Sequence, residues 1–490
     1  MRRLLAFILP LCLILISCDG PEAQLLSGDR ITIAYAEAVS SYSPINFEAK
    51  NRKYLVNIYE PLVRYDKAFN TDTALAVSWG RTDDLTWEFH LREGVLFHDG
   101  SIFEANDAVY SLELARSDVE SQLGSLLSNV QEVKKIDDYK IEIKTFEPDP
   151  LLLNKLTNVY MVPAAYRDFD APLGTGPYYI EDFEEDTLIL KRFENYWGAA
   201  AFYEEVGLAY IPGVDDRLNA LLEGEVQVLA NVPPQHVDVL REAGFEVEAY
   251  PSLEVSYLMF NLEGAFKDPD LRAAVWHALG IDYAERFGEG YLLPTDQYAA
   301  LGIFGYIPEH PVRQQNLEKA IAAQTLVEEV PELTLDIPLG LEPLGEDIAV
   351  DLEKINLNVT VNALGASEFQ NKILSGQSDF YFFGWKYDLA DVADFYEVAV
   401  HSKEGLYGAF NGIHLEDVEL DLSIEKAAQE LDISARRQIL IELNDRLLAT
   451  QSILPLFEAQ VIYGISPDLH WAARLDGQIL ASEILQNMVE

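Results

Sequence analysis

The chain has 490 residues and carries 35 Lys and Arg against 82 Asp and Glu, a formal net charge of −47. That balance excludes nucleic acid as a partner, because phosphate binding needs Lys and Arg to displace counterions. Length alone suggests about three domains, and 49% apolar content is enough for real cores.

The first element is an apolar run from Leu4 to Ile16, behind Arg2 and Arg3 and interrupted by Pro10. A helix that crosses a bilayer needs about 20 residues, so the run is too short to span. It fits a secretory h-region of about 7–15 residues behind a basic start. The run closes on Leu15-Ile16-Ser17-Cys18, which resembles a bacterial lipobox. On that reading residues 1–17 are a signal peptide and a lipidated Cys18 is the first mature residue. Residues 18–28 are then a tether. Acyl chains add about 0.8 kcal/mol per buried CH₂ and anchor durably when two or more are present. The mature protein is therefore expected outside the cytoplasmic membrane, facing the periplasm or exterior. Asp19 resembles the signal that keeps lipoproteins at the inner membrane. The alternative is an ordinary signal peptide with a chance cysteine. Cys12 leaves with the signal, so the mature chain has no disulfide and no cysteine nucleophile or metal site. Loss of Arg2 and Arg3 takes the charge from −47 to −49. An acidic field steers cationic solutes, although runs such as "EDFEED" (Glu181 to Asp186) read as solvated turns.

The body mixes strands and helices without repeats. "RITIAYAEA" alternates as a strand, with Ile31, Ile33 and Tyr35 on one face. "DAVYSLELA" (Asp107 to Ala115) is helical, with Glu104 and Asp107 near its positive end. "VKKIDDYKIEIKTF" reads as a hairpin turning at Asp137-Asp138. "VDDRLNALLEGE" is a helix with Leu218, Leu221 and Leu222 on one face, stopped by Gly224.

From Asn356 to Asp394 the pattern is strand, helix, strand. "NLNVTVNAL" alternates, "SEFQNKILSG" has a capping-box pattern in Ser367 and Gln370, and "DFYFFGW" is a continuous aromatic run. Continuous apolarity suggests a strand covered on both faces, and the spacing predicts a right-handed βαβ unit with parallel strands. In open α/β sheets ligands lie beyond the carboxyl ends of the strands. "WKYDLADVAD" occupies that position, which makes Trp385, Tyr387, Asp388 and Asp391 candidates. Aromatic rings give flat walls with polar edges, and an enclosed carboxylate calls for a cationic partner. Asp388 as a helix cap and Trp385 as core is the bland alternative.

Phosphate loops, nucleophile elbows and zinc helices are absent. The eight histidines are scattered without metal-ligand spacing. No enzyme, cofactor or metal site is expected.

"YEPLVRYD" (Tyr59 to Asp66) and the stretch Ala74 to Glu113, with "LGTGPYYIEDF", "KRFENYWG", "YLMFNLEGAFKDPDLRAAVWHALGID" and "RRQILIELNDRLLATQSILPLFEAQ", resemble solute-binding protein family 5. These are the extracytoplasmic receptors of peptide and nickel ABC importers. The resemblance implies an α/β, two-lobed periplasmic-binding-protein-like fold of type II, cluster C, with an extra subdomain in the first lobe. It places the lobe I core at 29–45, 173–262 and 465–490, the extra subdomain at 46–172 and lobe II at 263–464. It implies a monomeric receptor that closes on a solute and delivers it to a permease driven by ATPase subunits. Peptides, short ones above all, are the expected cargo. A nickel chelate, an oligosaccharide or a non-transport peptide sensor or chaperone are the alternatives. "GWKYDLADVA" is similar to the family's ligand segment. That similarity places Asp388 on a peptide's α-ammonium, with Gly384 and Trp385 at the pocket edge. Tyr387 replaces a small residue and is expected to narrow the pocket, and Val392 stands where a proline is usual. No motif identifies a carboxylate-binding arginine.

Overall fold

A computed structural model describes residues 28–405 and 407–487. The signal segment, Cys18 and residues 18–27 of the tether lie outside the described residues. Among those residues one eleven-stranded sheet dominates. From one edge it runs Val359–Leu364, Leu333–Pro338, Phe380–Lys386, Glu246–Phe260, Ile453–Ile465, Val228–Ala230, Gly28–Tyr35, Tyr203–Tyr210, Thr187–Arg192 and Tyr178–Glu184. Leu292–Pro294 pairs with Ile453–Ile465 off this path.

Two long strands, Glu246–Phe260 and Ile453–Ile465, carry the sheet from one lobe to the other. They pair antiparallel from Glu246 opposite Ile465 to Met259 opposite Ile453. Tyr463 and Ile465 pack into the first lobe's core with Ile31, Ile33 and Tyr35, whereas Val255 to Phe260 and Ile453 to Phe457 pack into the second lobe's cores. Between these ends the register shifts from Pro251 to Val255, and Leu253 takes a left-handed φ of 60°. Branched residues rarely adopt that backbone, so the chain bends where one lobe hands over to the other.

Alternation in Gly28–Tyr35 works as read: Ile31, Ile33 and Tyr35 enter one core and Ala34 the opposite one. The helix Ala105–Ser117 is held at its start by Asp107, whose carboxylate accepts from the Glu104 backbone N–H at 2.8 Å. The hairpin pairs Val130–Asp137 with Lys140–Thr145 and turns through Asp138 and Tyr139, one residue later than read. The strands Val359–Leu364 and Phe380–Lys386 are parallel to Leu333–Pro338, which lies between them. The helix joining them, Ala366–Leu374, starts after Gly365. Ser367 therefore sits inside the first turn and caps nothing, so the capping-box expectation fails there.

Several motif residues prove architectural. Glu60 is buried and accepts from Thr175 Oγ1 at 2.8 Å, Tyr196 OH at 2.8 Å and Trp197 Nε1 at 2.7 Å. A Cβ on Gly174 would fall 2.1 Å from the Ile58 carbonyl oxygen, so only glycine allows this approach. No helix among the described residues is long and apolar enough to cross a membrane.

Candidate functional site

The strand Phe380–Lys386 delivers the candidate residues. Phe380, Tyr381 and Phe382 are buried, after which exposure alternates. Successive side chains on a strand point to opposite faces. Phe383, Trp385 and Tyr387 accordingly pack on one core of the second lobe, while Lys386 and Asp388 open into a cavity between the lobes.

Across that cavity the first lobe contributes Arg52, Glu60, Arg64, Tyr160 and Arg474. The Asp388 carboxylate lies 3.5 Å from Lys386 Nζ, with side-chain exposures of 52% and 42%. Exposed pairs of this kind contribute about 0.2–1 kcal/mol, so a ligand cation can replace the lysine cheaply. The neighbouring cations are mostly committed. Arg52 lies 4.2 Å over the Tyr160 ring and donates to the Asn158 carbonyl, and Arg474 is bound by Asp476 and Glu483. Arg64 is exposed and forms no salt bridge among the described residues, although Glu60 lies within its electrostatic reach. Arg64, together with Lys386 and Lys53, which stand in exposed pairs with Asp388 and Glu37, supplies the cations available to a ligand carboxylate. Sequence reasoning passed over Arg64, which stands within "YEPLVRYD". It is the single exposed position between buried Val63 and Tyr65 on a short strand.

The other candidates fall elsewhere. Tyr387 has 0% exposure, and its hydroxyl lies 2.7 Å from the Tyr257 hydroxyl and bonds the Tyr298 carbonyl. Its ring fills the core on the strand's other face, so it does not narrow this cavity. Trp385 belongs to an aromatic cluster, with ring centres 5.8 Å from Phe395 and 6.2 Å from Phe410. Gly384 leaves room for Glu254, whose Oε1 would lie 2.4 Å from an added Cβ. Burial raises the Glu254 carboxyl pKa, which Lys386 partly offsets. Asp391 is buried against Arg436 with contacts of 2.5 and 3.1 Å, and also accepts from the Ala393 N–H at 2.9 Å. Of the motif's two aspartates, one holds the lobe together and the other faces the cavity. Across the cleft, Asn154 Nδ2 donates to the Leu389 carbonyl at 2.8 Å and Gln429 Nε2 to Glu147 at 2.7 Å. No group of three or more His, Cys, Asp or Glu side chains among the described residues is placed to hold a metal ion.

Residues 70–406 match the family described as bacterial extracellular solute-binding proteins, family 5 Middle. The chain belongs to this family. The family-5 protein is 24% identical over 472 residues to the nickel-binding protein NikA of Staphylococcus aureus, covering 90% of this chain and 91% of that one. It is 24% identical over 446 residues to the peptide transport periplasmic protein SapA of Salmonella typhimurium, covering 80% of each. Among solved structures it resembles DppA from Helicobacter pylori in complex with the peptide STSA, with a TM-score of 0.79 and 22% identity over 94% of this chain and 99% of that one. NikA from Brucella suis in complex with Fe(III)-EDTA gives a TM-score of 0.82 and 20% identity, over 94% and 100%. The family-5 protein therefore has the two-lobed, type II periplasmic-binding fold of these neighbours.

Proposed function

We propose that this chain is the lipid-anchored receptor of an ABC importer, taking short peptides between its lobes and passing them to a permease. Asp388 carries the reading. It is a half-exposed carboxylate at the end of a central strand, held among the described residues by an exposed lysine alone and facing the opposite lobe across a cavity. A peptide's α-ammonium fits that carboxylate, and Arg64 or Lys386 fits its carboxyl end. Gly384, Trp385 and Tyr387 then shape and support the strand from which Asp388 projects. Cys18 supplies the anchor, and the ATPase subunits of the importer supply the energy. Nickel chelates are the second reading, favoured by the match to a nickel-binding protein along 90% of the chain.

The test uses the soluble form that starts at Asp19. Its melting temperature is measured with di- to pentapeptides, their N-acetylated forms, nickel–histidine and short oligosaccharides. A ligand at about 100 times its dissociation constant adds about 2.7 kcal/mol of stability. Stabilisation by free but not acetylated peptides is the expected result. Stabilisation by chelates or sugars alone would overturn the peptide assignment.

A further inference from the structure

The cavity at Asp388 reverses the charge balance of the chain. Arg52, Lys53, Arg64, Lys386 and Arg474 line it against three carboxylates, whereas the whole chain carries 35 Lys and Arg against 82 Asp and Glu. Two of those carboxylates are already engaged. Glu60 accepts from Thr175, Tyr196 and Trp197, and Asp476 holds Arg474 at 2.7 Å. Asp388 is the one open to a ligand cation. The cavity therefore offers a single negative position and several positive ones.

A basic wall by itself only attracts anions. Arg52 and Tyr160 add a built position within it. Arg52 stands in the last turn of the helix Ala49–Leu55, with 8% exposure. Its partners are neutral: the Asn158 carbonyl at 3.1 Å and the Tyr160 ring, 4.2 Å below the guanidinium. No carboxylate among the described residues forms an ion pair with it. Arg474, as deeply buried in the same wall, differs in being bound by Asp476 and Glu483. A ring face and a carbonyl offset only part of the cost of enclosing a guanidinium. Tyr160 has 3% exposure, and its hydroxyl finds no hydrogen-bond partner among the described residues. Buried hydroxyls are normally satisfied. A donor without an acceptor thus lies in the residue that supports a cation without an anion, and both line the ligand cavity. One anionic oxygen group satisfies the two together.

We propose that Arg52 and Tyr160 receive a second anionic group of the ligand, the side-chain carboxylate of an aspartate or glutamate. The inference rests on the peptide reading of the cleft, in which Asp388 takes the ammonium and Arg64 or Lys386 the terminal carboxyl. The preferred cargo is then an acidic peptide with one positive and two negative groups. At about 150 Å³ the cavity falls below the range of about 300–1,000 Å³ typical of ligand sites, so it suits a dipeptide.

The test is calorimetric titration of the full-length mature protein with alanyl-glutamate and glutamyl-alanine. Each is compared with its neutral isostere, in which glutamine replaces glutamate, and with its N-acetylated form. A charge-assisted hydrogen bond is worth a factor of about ten or more, so in one order glutamate should bind at least about tenfold tighter than glutamine. Tyr160→Phe should narrow that ratio. Its hydroxyl has no bond to lose, so the melting temperature of the ligand-free variant should stay at the native value. Arg52→Gln should narrow the ratio further, and the comparison on native protein and on Tyr160→Phe stands even if this variant folds poorly. Equal affinities for glutamate and glutamine in both orders, with acetylation still abolishing binding, would overturn the anionic position and leave the Asp388 reading intact. A glutamate preference unchanged in Tyr160→Phe would overturn its assignment to this pair. Acetylated glutamate peptides that bind as tightly as free ones would keep the anionic position and overturn the ammonium role of Asp388. Silence from every probe would overturn both.

Discussion

The two aspartates of "GWKYDLADVA" should respond oppositely to the same loss of charge. In Asp388→Asn a ligand ammonium loses a charge-assisted bond of about 1.5–3 kcal/mol. Against this, native Asp388 must first release Lys386, at 3.5 Å, an exposed contact of about 0.2–1 kcal/mol. The difference, about 1–2 kcal/mol, weakens the dissociation constant about 5–30-fold. Stability should move by no more than about 0.5 kcal/mol, as for other surface changes. In Asp391→Asn a buried pair with Arg436 is broken, and the guanidinium left behind costs about 3–5 kcal/mol. The assay is calorimetric titration with one free dipeptide and its acetylated form, beside urea unfolding of each variant. If Asp388→Asn binds as native protein does, the ammonium role is wrong. If Asp391→Asn unfolds at the native midpoint, the division of labour between the two carboxylates is wrong.

Glu60→Ala strands the donors of Thr175, Tyr196 and Trp197. At about 1–3 kcal/mol for each unsatisfied buried group it should cost at least about 3 kcal/mol, and an unchanged unfolding midpoint would contradict the architectural role. Tyr387→Phe should cost about 1 kcal/mol for the lost hydroxyl and leave peptide affinity and length preference as they are. A changed length preference would return Tyr387 to the cavity wall. Burial holds Asp394 and Glu397 up to about 7 in the folded chain, against about 4 when unfolded. Lys155 and Arg436 oppose the rise in Glu397, whereas Asp149 and Asp391 reinforce it; Asp388 and Asp391 add to that in Asp394. The folded state then binds more protons than the unfolded one between these values, so this contribution to stability is present at low pH. It fades as pH rises through about 7. Glu397→Gln should flatten the fall in melting temperature between about pH 5 and pH 7.5, and an equal slope in both proteins would refute the assignment.

Much of the second lobe was legible because its signals are local. The aromatic run of Phe380 to Phe382 announces a strand covered on both faces, and the crevice rule places Asp388 at its end. The same strand shows where the reading stopped short. Alternation puts Tyr387 on the face opposite Asp388, so its bulk fills the core and leaves the cavity alone. Arg64 stood within a quoted motif, but its exposure between two buried neighbours becomes meaningful only once the opposite lobe is in place. The cavity lined by Glu147 of one lobe and Glu397 of the other had no local signal at all. Glu147 and Glu397 are 250 positions apart, and in a strongly acidic chain each reads as one more solvated side chain. Ser367 failed as a cap because Gly365 already starts the helix, a difference of two residues that composition does not encode.

Asn154 and Gln429 bind across the cleft through the protein's own atoms. Each such contact raises the fraction of empty molecules that are shut, and apparent affinity scales with the competent fraction. The same bonds that sharpen capture also make a vacant receptor resemble a loaded one. A permease that reads only closure would then spend encounters on empty carriers. Solution scattering of the unliganded protein reads that fraction directly, and with it the proportion of dockings that deliver nothing.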